Sequence, residues 1–309
     1  MKNILLTGAT GFVGKNLFIT LNNNFNVALV FRSSTEYFEC ANRKYKVSDF
    51  SAETDFTRCL NEIDCVIHLA ARAHIQGKKS ETALDEFRKS NVFATLKLAE
   101  QAAKSGVKRF IFISSIGVNG VSNSTPFIYS DDPNPTEDYA VSKYEAEIGL
   151  KKITKKTGME VVIIRPPLVY GKGAPGNVGT LLQVAEKNLP LPLGLINNQR
   201  SFVAIDNLVD LIVTCIDHPD AANQTFLVSD DETISTSNLL KKLTLAAGKQ
   251  PWLLPVPVSL LKLAASVFGK KAAVERFSSS LTVDIEHTKK TLNWKPPITL
   301  DEGIRRCFK

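Results

Sequence analysis

The sequence predicts an α/β protein, a doubly wound parallel sheet followed by a smaller C-terminal lobe. Three observations carry this reading. First, Ile4-Leu5-Leu6 runs through Gly8, Gly11 and Gly14 into Lys15 to Leu21, where apolar residues recur at helical spacing. Second, short apolar runs alternate with helical stretches up to residue 171, the pattern of right-handed β–α–β units. Third, from residue 172 the alternation stops, Pro, Gly and Asn gather at 191–200, and 251–257 is a second turn-rich segment, with prolines at 251, 255 and 257. We therefore divide the chain into 1–171 and 172–309, the second part interleaved with the sheet.

The opening strand, turn and helix have a physical purpose. Gly8 lets the chain reverse, Gly11 leaves room for a pyrophosphate, and Gly14 lets helix and sheet pack closely. The helix N-terminus then presents free N–H groups and a positive dipole end to an anion. Glycine spacing alone also fits an ordinary β–turn–α corner, but strand, turn and helix in this order favour phosphate binding.

Phe25 to Phe31 reads as the second strand, and its end bears on cofactor choice. A carboxylate there would bind the adenine ribose of NAD, whereas an Arg accommodates a 2′-phosphate. Arg32-Ser33-Ser34 follows, so Arg32 leans toward NADP; the plainer alternatives are stacking on adenine or facing solvent. Tyr45 to Asp49, Cys65 to Ala71, Val107 to Ile113 and Val161 to Pro167 supply the remaining strands. Ala70 and Ala71 are small enough for close backbone approach to a ligand, and His68, in an apolar strand, reads as a packed core residue. The ends of these strands collect in one crevice, where such sheets bind ligands.

Composition narrows the class. With 309 residues, 44% hydrophobic and 22% charged, the chain can bury a full core. One Lys and three apolar residues before the first glycine make a strand, not a signal peptide. No run reaches the roughly 20 apolar residues of a membrane span. The apolar stretch 258–268 reads as a lobe helix, with membrane-surface contact as the lesser reading. Five scattered cysteines have no metal or redox spacing, so no metal site is expected and a reducing cytoplasm fits. A net charge of +7 attracts an anionic small molecule. Dispersed Lys and Arg without an aromatic–basic module argue against nucleic acid, and Lys151-Lys152, Lys155-Lys156 and Lys270-Lys271 read as solvated helix ends.

Tyr139-Ala-Val-Ser-Lys143 carries the chemistry. At i and i+4, Tyr139 and Lys143 share one helix face. A phenol titrates near pH 10 and is a poor base alone, but a neighbouring ammonium favours the phenolate. Such a pair can move a hydroxyl proton while a nicotinamide takes the hydride. Ser115, at a strand end, would hydrogen-bond the same hydroxyl. Taken singly, Tyr-x-x-x-Lys fits a surface helix and Ser115 a turn; together with the glycine turn they form a specific pattern.

These segments resemble the extended branch of the short-chain dehydrogenase/reductase superfamily, a Rossmann-fold family of nucleotide-sugar epimerases, dehydratases and reductases. The spacing Gly-x-x-Gly-x-x-Gly in Thr7 to Gly14 carries the likeness first. Asn91 to Leu98 is similar to Asn-Val-x-Gly-Thr, with Ala94 at the glycine. Ser114 to Gly120 resembles Ser-Ser-x-x-Val-Tyr-Gly, with Asn119 replacing Tyr, and Arg165 to Gly171 resembles Arg-Pro-x-x-Val-Tyr-Gly. Asn198 to Leu208 and Asp284 to Ile304 extend it over essentially the whole chain. The resemblance implies a dinucleotide held by Gly8, Thr10, Gly11, Phe12, Val13, Gly14, Arg32, Asp49, Phe50, Leu69, Ala70, Ala71, Lys143 and Pro166. It implies catalysis by Ser115, Tyr139 and Lys143, and a substrate held by Asn177, Arg200 and Arg276. Arg200 would clamp a pyrophosphate, which suits a planar guanidinium.

Within the branch the chain resembles bacterial enzymes of the UDP-glucose 4-epimerase type, found in surface-polysaccharide synthesis. This implies C4 chemistry on a UDP-hexose or UDP-N-acetylhexosamine, with tightly kept NAD. The alternative is an NADPH-dependent reductase of a UDP-4-keto-6-deoxy sugar, which Arg32 favours. A dehydratase would carry an Asp-Glu pair where Ile116-Gly117 stand. A non-catalytic NAD(P) sensor would have lost the Tyr–Lys pair. The likeness further implies a cytoplasmic homodimer formed through helices that include the Tyr–Lys helix.

Overall fold

The computed structural model describes residues 1–32, 38, 41, 43–73, 80–267, 269 and 271–309. The chain opens with β1 (Asn3–Thr7), the glycine turn and α1 (Phe12–Asn22), then β2 (Asn26–Phe31), β3 (Arg43–Lys46) and β4 (Cys65–His68). Helix α2 (Ser80–Phe87) runs through a π-helical stretch (Arg88–Phe93) into α3 (Ala94–Lys104), and β5 (Arg109–Ile113) follows. Next come α4 (Asp138–Thr157), β6 (Glu160–Arg165), β7 (Leu168–Tyr170), α5 (Gly176–Lys187), β8 (Arg200–Ala204) and α6 (Ile205–Asp217). The last part holds β9 (Thr225–Leu227), β10 (Thr233–Ile234), α7 (Thr236–Ala246), α8 (Val258–Val267), α9 (Lys271–Ser278), α10 (Glu286–Leu292) and α11 (Leu300–Arg306).

Seven strands form a parallel sheet in the order β3-β2-β1-β4-β5-β6-β9. The order reverses at β1, which pairs Thr7 with Val30 on one side and with His68 on the other. A crevice therefore opens beyond the carboxyl end of β1, where the glycines lie. Both faces of the sheet are covered. Ile4, Leu6, Val27 and Leu29 point into one core, and Leu5, Ala28 and Val30 into the other, as the two-residue period of a strand requires. Helices α1 and α6 cover the first face; α3 and α4 cover the second.

Several strand boundaries differ from the sequence reading: the second and fifth strands begin at Asn26 and Arg109 instead of Phe25 and Val107, and the fourth ends at His68 instead of Ala71. The third strand spans Arg43–Lys46 instead of Tyr45–Asp49, and Asp49 beyond it turns its carboxylate to accept the N–H of Phe50. The sixth ends at Arg165, since Pro166 and Pro167 bring no N–H to a ladder. Beyond residue 172 the chain returns to the large sheet, where β9 pairs with β6 and α6 packs against α1. Strands β10, β8 and β7 form a second sheet, over a core that includes Tyr170, Phe202, Leu240 and Ile304. His68 is fully buried, 2.7 Å from the Thr7 hydroxyl and 2.9 Å from that of Thr95. Burial pushes its imidazole down to about 3, so it is a neutral structural residue. Lys155 and Lys156 are exposed in the last turn of α4. Cys59, Cys65, Cys215 and Cys307 are buried thiols, each pushed up to about 12 by desolvation.

Candidate active site

The glycine turn allows no side chain at its two tightest points. Gly8 has φ +75°, and a Cβ there would sit 2.6 Å from the amide nitrogen of Ala70. A Cβ on Gly14 would lie 2.1 Å from the Gly8 carbonyl oxygen, so α1 can rest against the turn only with glycine there. Helix α1 starts at Gly11 with no side chain capping its N–H groups. These donors face an anion site, and the cradle fits a dinucleotide pyrophosphate.

A cleft of about 180 Å³ opens in front of this turn. Of the residues expected to hold a dinucleotide, Gly8, Thr10, Gly11, Arg32, Phe50, Leu69, Ala70 and Ala71 line it. Phe12 and Val13 instead pack partly into the core behind the turn, and Gly14 is buried. Asp49 is exposed beside the cleft. Pro166 lies across β6, its carbonyl accepting the N–H of Ile116 at 3.0 Å.

Arg72 and Ser90 also line the cleft, and sequence reasoning missed both. Asn91 fixes Arg72 in place, accepting its N–H at 2.8 Å and donating to its carbonyl at 3.0 Å. The same amide donates to the Ser142 hydroxyl at 3.0 Å, and Ser142 donates to the Tyr139 carbonyl at 2.7 Å. Asn91 thus joins the rim of the cleft to the helix that carries Tyr139 and Lys143. It sits in the π-helical stretch, a local widening frequent at functional sites. The available signal was position: Arg72 follows the small pair Ala70-Ala71 just past a strand's carboxyl end.

Tyr139 and Lys143 lie in the first two turns of α4, against the end of β5. The Lys143 ammonium donates to the Ile113 carbonyl at 2.8 Å and stands 4.5 Å from the Phe112 ring centre and 5.9 Å from that of Tyr139. Lys143 is only 2% exposed. Burial pushes its amine down to about 7, with the carboxylate of Glu147 acting in the opposite direction. Burial likewise pushes the Tyr139 phenol up to about 12, and Phe87 packs edge-on against its ring at 6.0 Å. Ser115 follows β5, and its hydroxyl oxygen accepts the N–H of Gly117 at 3.1 Å.

A second buried network, also unforeseen, braces this corner. Glu147, one turn beyond Lys143, accepts from Arg165 and from the Ser114 hydroxyl at 2.6 Å. Arg165 also donates to the side-chain carbonyl of Asn119 at 2.9 Å. Asn119, where the resembling family carries Tyr, is therefore 2% exposed and engaged inside the protein.

The lobe residues are more dispersed. Asn177 is exposed in the first turn of α5. Arg200 opens β8, partly buried, and donates to the Ser279 carbonyl at 3.1 Å; desolvation lowers its pKa. Arg276 belongs to α9, and its side chain lies outside the described residues. The carbonyls of Phe277 and Ser279 accept from Asn198 at 3.0 and 2.8 Å, so the end of α9 and the strand bearing Arg200 are held together. Among the described residues no three His, Cys, Asp or Glu side chains cluster as metal ligands, and no helix is long and apolar enough to cross a membrane.

Comparison with known proteins identifies the family. A curated UDP-glucose 4-epimerase from Vibrio cholerae is 48% identical, over 99% of this chain and 94% of its own length. The crystal structure of UDP-glucose 4-epimerase from Thermotoga maritima with UDP-glucose superposes with a TM-score of 0.78 at 25% identity, covering 99% of this chain and 97% of that one. In fold, a Bacillus cereus UDP-glucuronic acid 4-epimerase in complex with NAD matches with a TM-score of 0.79 at 21% identity, covering 99% and 95% of the two chains. Residues 4–229 match the NAD dependent epimerase/dehydratase family, and the chain belongs to that family.

Proposed function

We propose that this enzyme interconverts the C4 epimers of a UDP-hexose or UDP-N-acetylhexosamine. The observation that carries the reading is the meeting of Tyr139, Lys143 and Ser115 at the carboxyl end of β5, beside a cleft shaped for a dinucleotide. NAD bound in this cleft would supply the redox chemistry at C4, as acceptor and donor of the hydride. Gly8, Gly11 and the N-terminus of α1 hold its pyrophosphate, while Phe50, Leu69, Ala70 and Ala71 wall the cleft.

The protein's own part is proton transfer and orientation. Ser115 Oγ holds the C4 hydroxyl, and Tyr139 Oη takes and returns its proton. Burial alone opposes the phenolate, so the charges of Lys143 and the nicotinamide must offset it. Arg200, with Asn177 and Arg276, anchors the UDP diphosphate. Turnover exchanges substrate without exchanging the dinucleotide, which fits a deep glycine cradle.

We place the enzyme in the cytoplasm, in the synthesis of surface polysaccharide, as a homodimer formed through α4 and its neighbour. Phe93 and Ile148, 49% and 38% exposed on that side, support the contact. Arg32 at the cleft mouth favours a second reading, an NADPH-dependent reductase of a UDP-4-keto sugar.

The test is interconversion of UDP-glucose with UDP-galactose, and of the N-acetyl pair, by the wild type and by Tyr139→Phe. The expected result is a loss of about 10²–10⁴-fold in kcat in the variant, with its bound NAD retained. Equal turnover by the two proteins would remove Tyr139 from the mechanism.

A further inference from the structure

One stretch of the C-terminal lobe, 189–263, concentrates the exposed apolar surface of the described residues. Of fifteen large apolar side chains exposed to solvent, seven fall between Leu189 and Leu263. The backbone gathers them. Leu191 is bridged to Leu253, the N–H of Leu254 donates to the Leu191 carbonyl at 2.7 Å, and the N–H of Gly194 donates to the Leu254 carbonyl at 2.9 Å. Leu195, Trp252 and Leu254, exposed by 50%, 59% and 41%, therefore sit on two adjoining segments, and α8 begins just beyond them.

Helix α8 has apolar residues on both faces. Val258, Leu261 and Ala265 are half-buried and face inward. Leu260 and Leu263, exposed by 54% and 65%, form an outer ridge with Ala264, at the i, i+3, i+4 spacing of one helix face. A helix on the surface of a soluble protein normally turns a polar face outward. This one is only 10 residues, about 15 Å, far short of a bilayer core.

The sequence around it is predominantly basic, although Glu275 lies on the adjoining α9 and Lys242 pairs with Asp301. Between Glu232 and Glu275 the sequence contains six lysines and no Asp or Glu, and from Lys187 to Ile205 it again contains no acidic residue. Lys187, Lys249 and Lys262 are exposed. Protein–protein interfaces are depleted in Lys. Leu and Trp flanked by lysines are instead the composition of a helix that lies in the plane of an anionic bilayer surface.

We propose that α8, with the adjoining segments around Leu195 and Trp252–Leu254, docks the enzyme on an anionic lipid bilayer. The apolar ridge enters the headgroup boundary, and the lysines meet lipid phosphate. Helix α9 follows α8 directly, and the carbonyl of Ser279 at its end holds Arg200. The docked surface therefore adjoins the segment that carries the proposed substrate anchor.

Trp252 makes the test direct, because the other tryptophan, Trp294, is buried and donates to Asp210. Full-length protein is mixed with vesicles of phosphatidylcholine alone or of an equimolar mixture with phosphatidylglycerol. Co-sedimentation and a blue shift of tryptophan emission are expected with the anionic vesicles alone, and both should fade in high salt. Lys262→Glu should weaken binding by about fivefold or more. Leu260→Ser with Leu263→Ser, both at exposed positions, should abolish binding while turnover of soluble substrate is unchanged. Failure of the wild type to bind at low salt, or undiminished binding by the Leu variant, overturns the proposal. So does a Leu variant that changes the sedimentation coefficient of the protein alone, because the surface would then belong to a second copy of the chain.

Discussion

Glu147 accepts two hydrogen bonds from Arg165, from Nε at 3.0 Å and from Nη2 at 2.6 Å, and the two side chains are 1% and 3% exposed. The pair joins helix α4, which carries Tyr139 and Lys143, to the last residue of β6. Removing one partner leaves an uncompensated charge in the core, which costs about 3–5 kcal/mol. Arg165→Met is expected to lose stability on that scale in urea unfolding. Adding Glu147→Leu should recover most of it, because the stranded carboxylate is then gone. A single variant within about 1 kcal/mol of wild type would show that water reaches this pair.

Lys143 titrates under two opposing influences, with burial pulling its pKa down and Glu147 raising it, to a net value of about 7. In the protein without dinucleotide, the Cε resonance of labelled Lys143 should shift with a midpoint near neutral pH. In Glu147→Gln the opposing charge is gone, and the midpoint should move lower. Between pH 7 and 10.5 the unfolded chain holds a proton on this lysine that the folded chain has released. Stability from this group therefore rises with pH across that window, by about 1.4 kcal/mol per unit. A midpoint near the ordinary lysine value would mean that the ammonium is solvated.

His68 behaves likewise in acid. Buried between Thr7 and Thr95, it stays neutral down to about pH 3, whereas in the unfolded chain it protonates below about 6.5. The unfolded state gains the proton first, so stability falls as pH drops from 6.5 to 3, by about 1.4 kcal/mol per unit, and levels off below. His68→Gln keeps groups able to bond both hydroxyls and removes the titration. Its stability should show a shallower acid limb than that of the wild type. Equal slopes would assign the acid sensitivity to other residues.

The sheet was legible because its strands are buried on both faces and so read as short continuous apolar runs, with Ile4, Leu5 and Leu6 alternating between two cores. The glycine turn was legible because its chemistry is local, with strand, turn and helix inside the first 22 residues. What escaped was long-range. Arg72 is held by Asn91, 19 residues away, and Arg165 is engaged by Glu147 and Asn119, 18 and 46 residues away. Polar pairs of that kind leave no periodic trace. Asn119 could be read only as a departure from a family pattern, while the structure gives it a partner. The return of β9 to the large sheet was hidden for a related reason, since a three-residue strand is too short to show a period.

Arg32 decides between the two functional readings. It is exposed at the end of β2 and lines the cleft, and none of the residues lining that cleft is acidic. A carboxylate at this strand end would bind the ribose hydroxyls of NAD, while a guanidinium can pair with a 2′-phosphate. A charge-assisted hydrogen bond of this kind contributes about 1.5–3 kcal/mol, so Arg32→Ala should weaken NADPH by about tenfold or more and leave NADH nearly unchanged. An epimerase keeps its dinucleotide through turnover, so freshly purified protein, once denatured, should release close to one NAD per chain. The two measurements separate the readings. Retained NAD, with UDP-hexose turnover that needs no added cofactor, places Arg32 at the rim of an epimerase. An empty site that prefers NADPH, and loses the preference in Arg32→Ala, makes the enzyme a reductase, and UDP-4-keto sugars then replace UDP-glucose as the substrate to assay.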